Sequence, residues 1–164
     1  MFIVFAGLPG TGKSSIAREL ARELAAIWLR VDSFERAIRV SGVVTGSIDD
    51  AGYRAAYAVA VDNLRLGRTV IGDSVNDCML TRNAWREAGL EAGARVIEIE
   101  TICSDINEHR RRIEVRPNEI QGLALPNWKE VIERDYEPWD RDHLTIDTAG
   151  RSVAECVALI RALL

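Results

Sequence analysis

Residues 7–14 read Gly-Leu-Pro-Gly-Thr-Gly-Lys-Ser, directly after the unbroken apolar run Phe2-Ile3-Val4-Phe5-Ala6. Ile16, Leu20, Leu24 and Ile27 then recur at helical spacing. Few patterns restrict a chain more. A strand that is apolar at every position is buried on both faces, which calls for a parallel sheet covered by helices. Gly, four residues, then Gly-Lys-Ser is a phosphate-binding loop. Its glycines reach backbone conformations of positive φ, successive N–H groups turn toward phosphate oxygens, and the following helix N-terminus adds its dipole. Gly7, Pro9, Gly10, Thr11, Gly12, Lys13, Ser14 and Ser15 are therefore expected to cradle a nucleoside triphosphate, with Lys13 on the terminal phosphates and the Ser14 hydroxyl on Mg²⁺. Of 21 basic residues only Lys13 and Lys129 are lysine, so a lysine inside this loop stands out.

The remainder alternates strand and helix. Strands are expected at 27–31, ending at Asp32, and at 69–73, 95–102 and 143–148. Helices are expected from Ser14, over 33–40, from Asp49 or Asp50 to Gly67, over 79–92, from Ser104-Asp105 to about Arg116-Pro117, and over 128–136. A last helix should bury Val153, Val157, Ile160 and Leu164. The fold class is α/β: a doubly wound five-stranded parallel sheet of the P-loop NTPase type, in one domain over 1–164. The alternation Ile97, Glu98, Ile99, Glu100 implies that the fourth strand has one partly covered face. Pro117, Gly122 and Pro126 mark 116–127 as an irregular connection.

Several function classes fall away. The net charge of -4 and pI near 5.3 disfavour a general polyanion binder. No apolar run approaches the roughly 20 residues of a membrane span and no basic start precedes a signal-like stretch, so a cytoplasmic protein without a membrane partner is expected. Cys78, Cys103 and Cys156 lie far apart and read as reduced, mostly buried thiols rather than metal ligands. His109 and His143 make an unpromising catalytic pair. Guanine-nucleotide switches need Asn/Thr-Lys-x-Asp, but Trp128 precedes Lys129, and Asp147-Thr148-Ala149-Gly150 only imitates their Asp-x-x-Gly element. A small phosphotransferase fits the length better than a motor or clamp ATPase.

Asp32 and Asp73 each end a parallel strand beside the loop, where ligands gather in such sheets. Asp32 either orients an acceptor hydroxyl or caps the next helix. Asp73 either supports the metal, or fixes the acceptor together with Ser74 and Asn76, or forms a turn. Arg36 and Arg39 face either an anionic acceptor or solvent. Arg110, Arg111, Arg112 and Arg116 form the sharpest charge cluster. Arg112 and Arg116 share a helical face and can aim at one phosphate chain, unless ion pairs to Asp105, Glu108 and Glu114 claim them. Trp28, Trp85, Trp128 and Trp139, with Tyr53 and Tyr57, either line an acceptor pocket or, as aromatics at helical spacing more often do, pack in the core, and no site is assigned to them.

On these residues the chain resembles the P-loop kinases of the adenylate-kinase-like group, and more closely the small kinases grouped with polynucleotide kinase, chloramphenicol phosphotransferase, gluconate kinase and zeta toxins. The resemblance covers essentially the whole chain and rests on 7–14, Asp32, Asp73 and the arginines at 110–116. The runs Val31-Asp32-Ser33-Phe34-Glu35-Arg36, Asp73-Ser74-Val75-Asn76 and Ser104-Asp105 through His109-Arg110-Arg111-Arg112 are also similar to bacterial chains described as AAA-type ATPases or predicted kinases. The resemblance implies ATP and Mg²⁺ as cofactors, the metal held by Ser14 and Asp73. It further implies that Asp32 takes the proton of a substrate hydroxyl and that a lid over about 110–126 brings Arg112 and Arg116 to the transferring phosphoryl group; from their own placement, Arg36, Asp73 and Asn76 are expected to help bind the acceptor. The loop Thr148, Ala149, Gly150 would edge the adenine. The acceptor would be a small molecule or nucleotide. A polynucleotide 5′-hydroxyl kinase acting on a nucleic-acid end is one alternative, which the negative charge opposes. A nucleotide-binding regulatory ATPase is another.

Overall fold

The computed structural model describes residues 1–118, 120 and 125–164; Glu119 and residues 121–124, inside the expected lid, lie outside the described residues. The strands are β1 (Phe2–Ala6), β2 (Ile27–Arg30), β3 (Val70–Asp73), β4 (Val96–Ile102) and β5 (Leu144–Asp147). The helices are α1 (Lys13–Leu24), α2 (Val31–Val40), α3 (Ala51–Arg65), α4 (Met79–Glu91), α5 (Ile106–Val115), α6 (Trp128–Ile132) and α7 (Val153–Arg161). The strands pair in parallel in the order β2-β3-β1-β4-β5, the doubly wound sheet expected.

The pleat of β1 divides the core. Ile3 and Phe5 pack with Ile16 and Leu20 of α1 and with Val157 and Ile160 of α7. Phe2 and Val4 face the other way, against Ala56, Ala60 and Leu64 of α3 and Trp85 of α4. Because the strands are parallel, the segments that follow β1, β2, β3 and β5 all leave from one edge of the sheet.

Four expectations need correction. Val31 is buried in the α3-side core, and α2 begins there without an intervening loop. Asp32 thus lies in the first helical turn; Arg30 is the N-cap, and the capping role considered for Asp32 does not apply. The fourth strand does have one partly covered face: Ile97, Ile99 and Thr101 are buried, whereas on the other face Val96 and Glu100 are half-buried and Ile102 is exposed, and only Glu98 is buried there, between Arg86 at 2.9 Å and Arg141 at 2.9 Å. Helix α6 stops at Ile132 instead of 136, because Tyr136 and Trp139 turn aside to sandwich the buried Arg82 guanidinium, 4.8 and 4.4 Å from their ring centres. Val153 is exposed at the start of α7. Only Cys156 of the three free cysteines is buried; Cys78 and Cys103 are half-buried.

Candidate active site

The loop between β1 and α1 is shaped by backbone demands. Gly7 has φ of +133°, and a Cβ there would lie 2.3 Å from the Thr101 carbonyl oxygen, so β1 and β4 can meet below the loop only with glycine. Thr101 also braces the loop from β4: its hydroxyl is 2.8 Å from that of buried Thr11, which itself donates to the Leu8 carbonyl at 2.8 Å. The next turn opens α1 with Lys13, whose ammonium reaches back to the Leu8 carbonyl at 3.1 Å.

A cavity of about 720 Å³ opens above the loop, within the range of small-molecule sites. Pro9, Gly10, Gly12, Lys13, Ser14 and Ser15 form its floor. Asp73 enters from β3, Asp32 from α2, and Arg112 and Arg116 from α5 and its end. Arg112 and Arg116 therefore do share one face over the loop, while Arg110 turns outward to pair with Glu114 at 2.8 Å and Arg111 is exposed.

Burial pushes the two central charges toward neutrality. The Lys13 ammonium is lowered to about 8 by burial, with Asp73 and then Asp32 opposing the shift. Asp73 is raised by burial, countered by Lys13, the Ser14 hydroxyl, Arg30 and the Trp28 indole. That indole donates to Asp73 Oδ2 at 3.1 Å and fixes its rotamer. Burial lowers Arg116, which nearby Asp32 partly restores. Its guanidinium donates to the Pro126 carbonyl at 2.8 Å.

Other expected residues lie beside the cavity rather than on it. Thr148 is buried, its hydroxyl 3.0 Å from the carbonyls of both Thr11 and Ile102, and Arg112 donates to its hydroxyl and carbonyl at 2.8 Å. Glu108 pairs with Arg112 at 2.7 Å and accepts from the Gly150 N–H at 2.9 Å. The loop after β5 is thus tied to α5 and to the phosphate-binding loop. Arg36 does not line the cavity. Asn76 is a correction: it is fully buried in a turn with φ of +49° and donates to the Phe5 carbonyl at 2.7 Å, so it braces β1 instead of facing an acceptor.

Tyr53, set aside as core, lines the cavity, and sequence reasoning missed Arg30, Glu35, Asp77 and Arg134, which line it too. Arg30 lies 3.6 Å from Asp32, and Arg134 pairs with Asp77 at 2.8 Å. Glu35 follows Asp32 by one helical turn, and burial followed by the Asp32 charge raises its carboxyl. The Tyr53 phenol is raised by burial and bonded toward Ser74. Only the i, i+3 spacing of Asp32 and Glu35 could have signalled any of them. Among the described residues no cluster of three His, Cys, Asp or Glu side chains could hold a metal, and no helix is long and apolar enough to cross a membrane.

Comparison with known proteins agrees with this geometry. The chain is 31% identical, over 95% of its length, to the uncharacterized protein Rv2004c of Mycobacterium tuberculosis, of which it spans only 34%. It is 27% identical to a shikimate kinase of Desulforudis audaxviator, covering 96% of this chain and 83% of that enzyme. Its fold matches the Mycobacterium tuberculosis APS kinase CysC in complex with AMPPNP and APS, with a TM-score of 0.74 at 20% identity, over 99% of this chain and 95% of the other. The AAA domain family model matches residues 2–134, which include the phosphate-binding loop, Asp32, Asp73 and the α5 arginines, so the chain belongs to that family and carries a P-loop kinase-like nucleotide-binding fold.

Proposed function

We propose that the protein transfers the γ-phosphoryl group of ATP to a hydroxyl of a small-molecule acceptor, in the cytoplasm where ATP is supplied. One observation carries the reading: a single cavity is lined both by the phosphate-binding loop and by Asp32 at a helix start, together with Arg30, Glu35, Tyr53, Asp77 and Arg134. A nucleotide binder without an acceptor has no use for that second set.

In this reading Lys13 and the loop N–H groups hold the β- and γ-phosphates. Asp32 orients the acceptor hydroxyl and takes its proton as the O–Pγ bond forms and the bond from Pγ to the β-phosphate oxygen breaks, releasing ADP. Arg116 and, once it exchanges its Glu108 ion pair for phosphate, Arg112 offset the charge spread over the transferring group. The Ser14 hydroxyl and the Asp73 carboxylate are neighbouring hard oxygen donors, a set that suits Mg²⁺. When bound there, the ion would supply charge neutralisation on the phosphates. Residues 1–164 act as one domain, with 110–126 as the lid, and Thr148 and Gly150 beside the adenine.

The test is ADP release from ATP against a panel of hydroxyl acceptors: polyols, hydroxy acids, nucleosides and an oligonucleotide with a free 5′-hydroxyl. One acceptor should stimulate turnover. Asp32→Asn should then lower that turnover by about 10²-fold or more with nucleotide affinity almost unchanged. Hydrolysis that no acceptor stimulates, and that Asp32→Asn leaves intact, would favour a nucleotide-driven regulator.

A further inference from the structure

His109 lies on α5, a hundred residues along the chain from the phosphate-binding loop, and is buried against it with 7% exposure. Its Nε2 is 2.8 Å from the Pro9 carbonyl oxygen. A carbonyl only accepts, so Nε2 carries the proton and donates. The ring is held edge-on to Trp128 of α6, with centres 5.2 Å apart. One residue further along the loop, Gly10 has φ of +83°, and a Cβ there would fall 2.6 Å from Ile113 Cδ1 and 3.2 Å from His109 Cδ2. Helix α5 therefore rests directly on the loop at Pro9-Gly10.

The consequence follows from peptide geometry. Pro9 C=O and Gly10 N–H belong to one planar trans unit and point in opposite directions. Holding the carbonyl toward His109 aims the Gly10 N–H away from it. Gly10 also lines the cavity, where a phosphate oxygen would need that donor. Glycine at positive φ has little intrinsic preference for this orientation, since the same peptide can flip at low steric cost. An external hydrogen bond removes that freedom.

We infer that His109 is a positioning residue for nucleotide binding: its Nε2–H fixes the Pro9-Gly10 peptide so that the Gly10 amide is preorganised for a phosphate oxygen. The proposal rests on the nucleotide-binding half of the functional reading and is independent of any acceptor. It also gives α5 a second task beside presenting Arg112, because the same helix sets the loop's shape.

The test compares MgADP affinity by calorimetry in the intact chain with two substitutions that separate donor from packing. His109→Phe keeps a ring against Trp128 and Ile113 but has no donor; His109→Gln loses the ring but can place an amide N–H near the Nε2 position. Expected are a loss of about tenfold in His109→Phe and recovery to within about threefold in His109→Gln. The Gly10 amide proton should shift downfield with MgADP in the parent and in His109→Gln, but not in His109→Phe. Wild-type affinity in His109→Phe, or a greater loss in His109→Gln than in His109→Phe, overturns the proposal. Should either variant fail to fold, ¹⁵N shifts of the parent decide: a neutral His109 protonated on Nδ1 overturns it and one protonated on Nε2 supports it. A parent chain that binds no MgADP overturns the nucleotide reading first, a separate and recognisable result.

Discussion

The Lys13 ammonium is held where its own charge is disfavoured, since burial lowers it to about 8 despite Asp73 and Asp32 nearby. A phosphate chain would reverse that balance by adding negative charge next to the amine. The protonated form binds phosphate, so nucleotide affinity should be flat below pH 8 and fall as pH rises through it, by up to about tenfold per unit. Calorimetry at pH 8.5 in buffers of different ionisation enthalpy should register proton uptake on MgADP binding; no uptake would mean that Lys13 is already fully charged in the free protein. Lys13 and Ser14 were legible in the sequence because motif spacing fixes them through the backbone itself. Asn76 was misread for the opposite reason. Its place after β3 was evident, but a turn residue at φ of +49° sends its amide under the sheet to Phe5, and spacing carries no information about that direction. Glu35, Tyr53, Asp77 and Arg134 come from separate elements and meet only in the folded cavity.

Strands of unbroken apolar residues announce themselves, whereas the boundaries of α2 and α6 were decided by tertiary contacts. The start of α2 matters most because it aims Asp32. Helix α2 lies against α3 at Gly52, where a Cβ would fall 2.4 Å from Glu35 Cγ and 3.3 Å from the Glu35 backbone nitrogen. Close approach of the two helices thus depends on a missing side chain. Gly52→Ala improves helix propensity by about 1 kcal/mol, yet overpacking of this kind costs about 1–3 kcal/mol and displaces the segment that carries Asp32. The expected result is a lower melting temperature together with reduced acceptor-dependent turnover at nearly constant MgADP affinity. A variant of parental stability and turnover would show that Glu35 moves aside without disturbing α2. Gly46→Ala, with open space around its Cβ position and no positive φ, controls for substitution in the α2–α3 connection.

At the scale of the whole molecule, the family match ends at residue 134, but the sheet and its core do not. β5 completes the sheet beside β4, pairing Ile99 with Leu144 and Ile102 with Asp147. Ile146 of β5 and Cys156, Val157 and Ile160 of α7 are all at most 5% exposed within the core that also holds Ile3, Phe5 and Leu20. Burying such side chains contributes roughly 1.5–3 kcal/mol each, so together they match a large part of the about 5–15 kcal/mol that stabilises an ordinary domain. The same segment supplies Thr148, which ties Arg112 to the carbonyl of Thr11 and so links the last strand to the phosphate-binding loop. Removing residues 143–164 should therefore abolish the cooperative thermal transition and MgADP binding together. A chain shortened only by residues 162–164, past the end of α7, should melt within a few degrees of the full length. Circular dichroism melts of the two truncations, with MgADP titrations alongside, make the comparison. Cooperative melting in the shorter chain would mean that β1, β3, β4 and their helices close a core of their own, and that the fifth strand is an accessory to the nucleotide-binding fold rather than part of it.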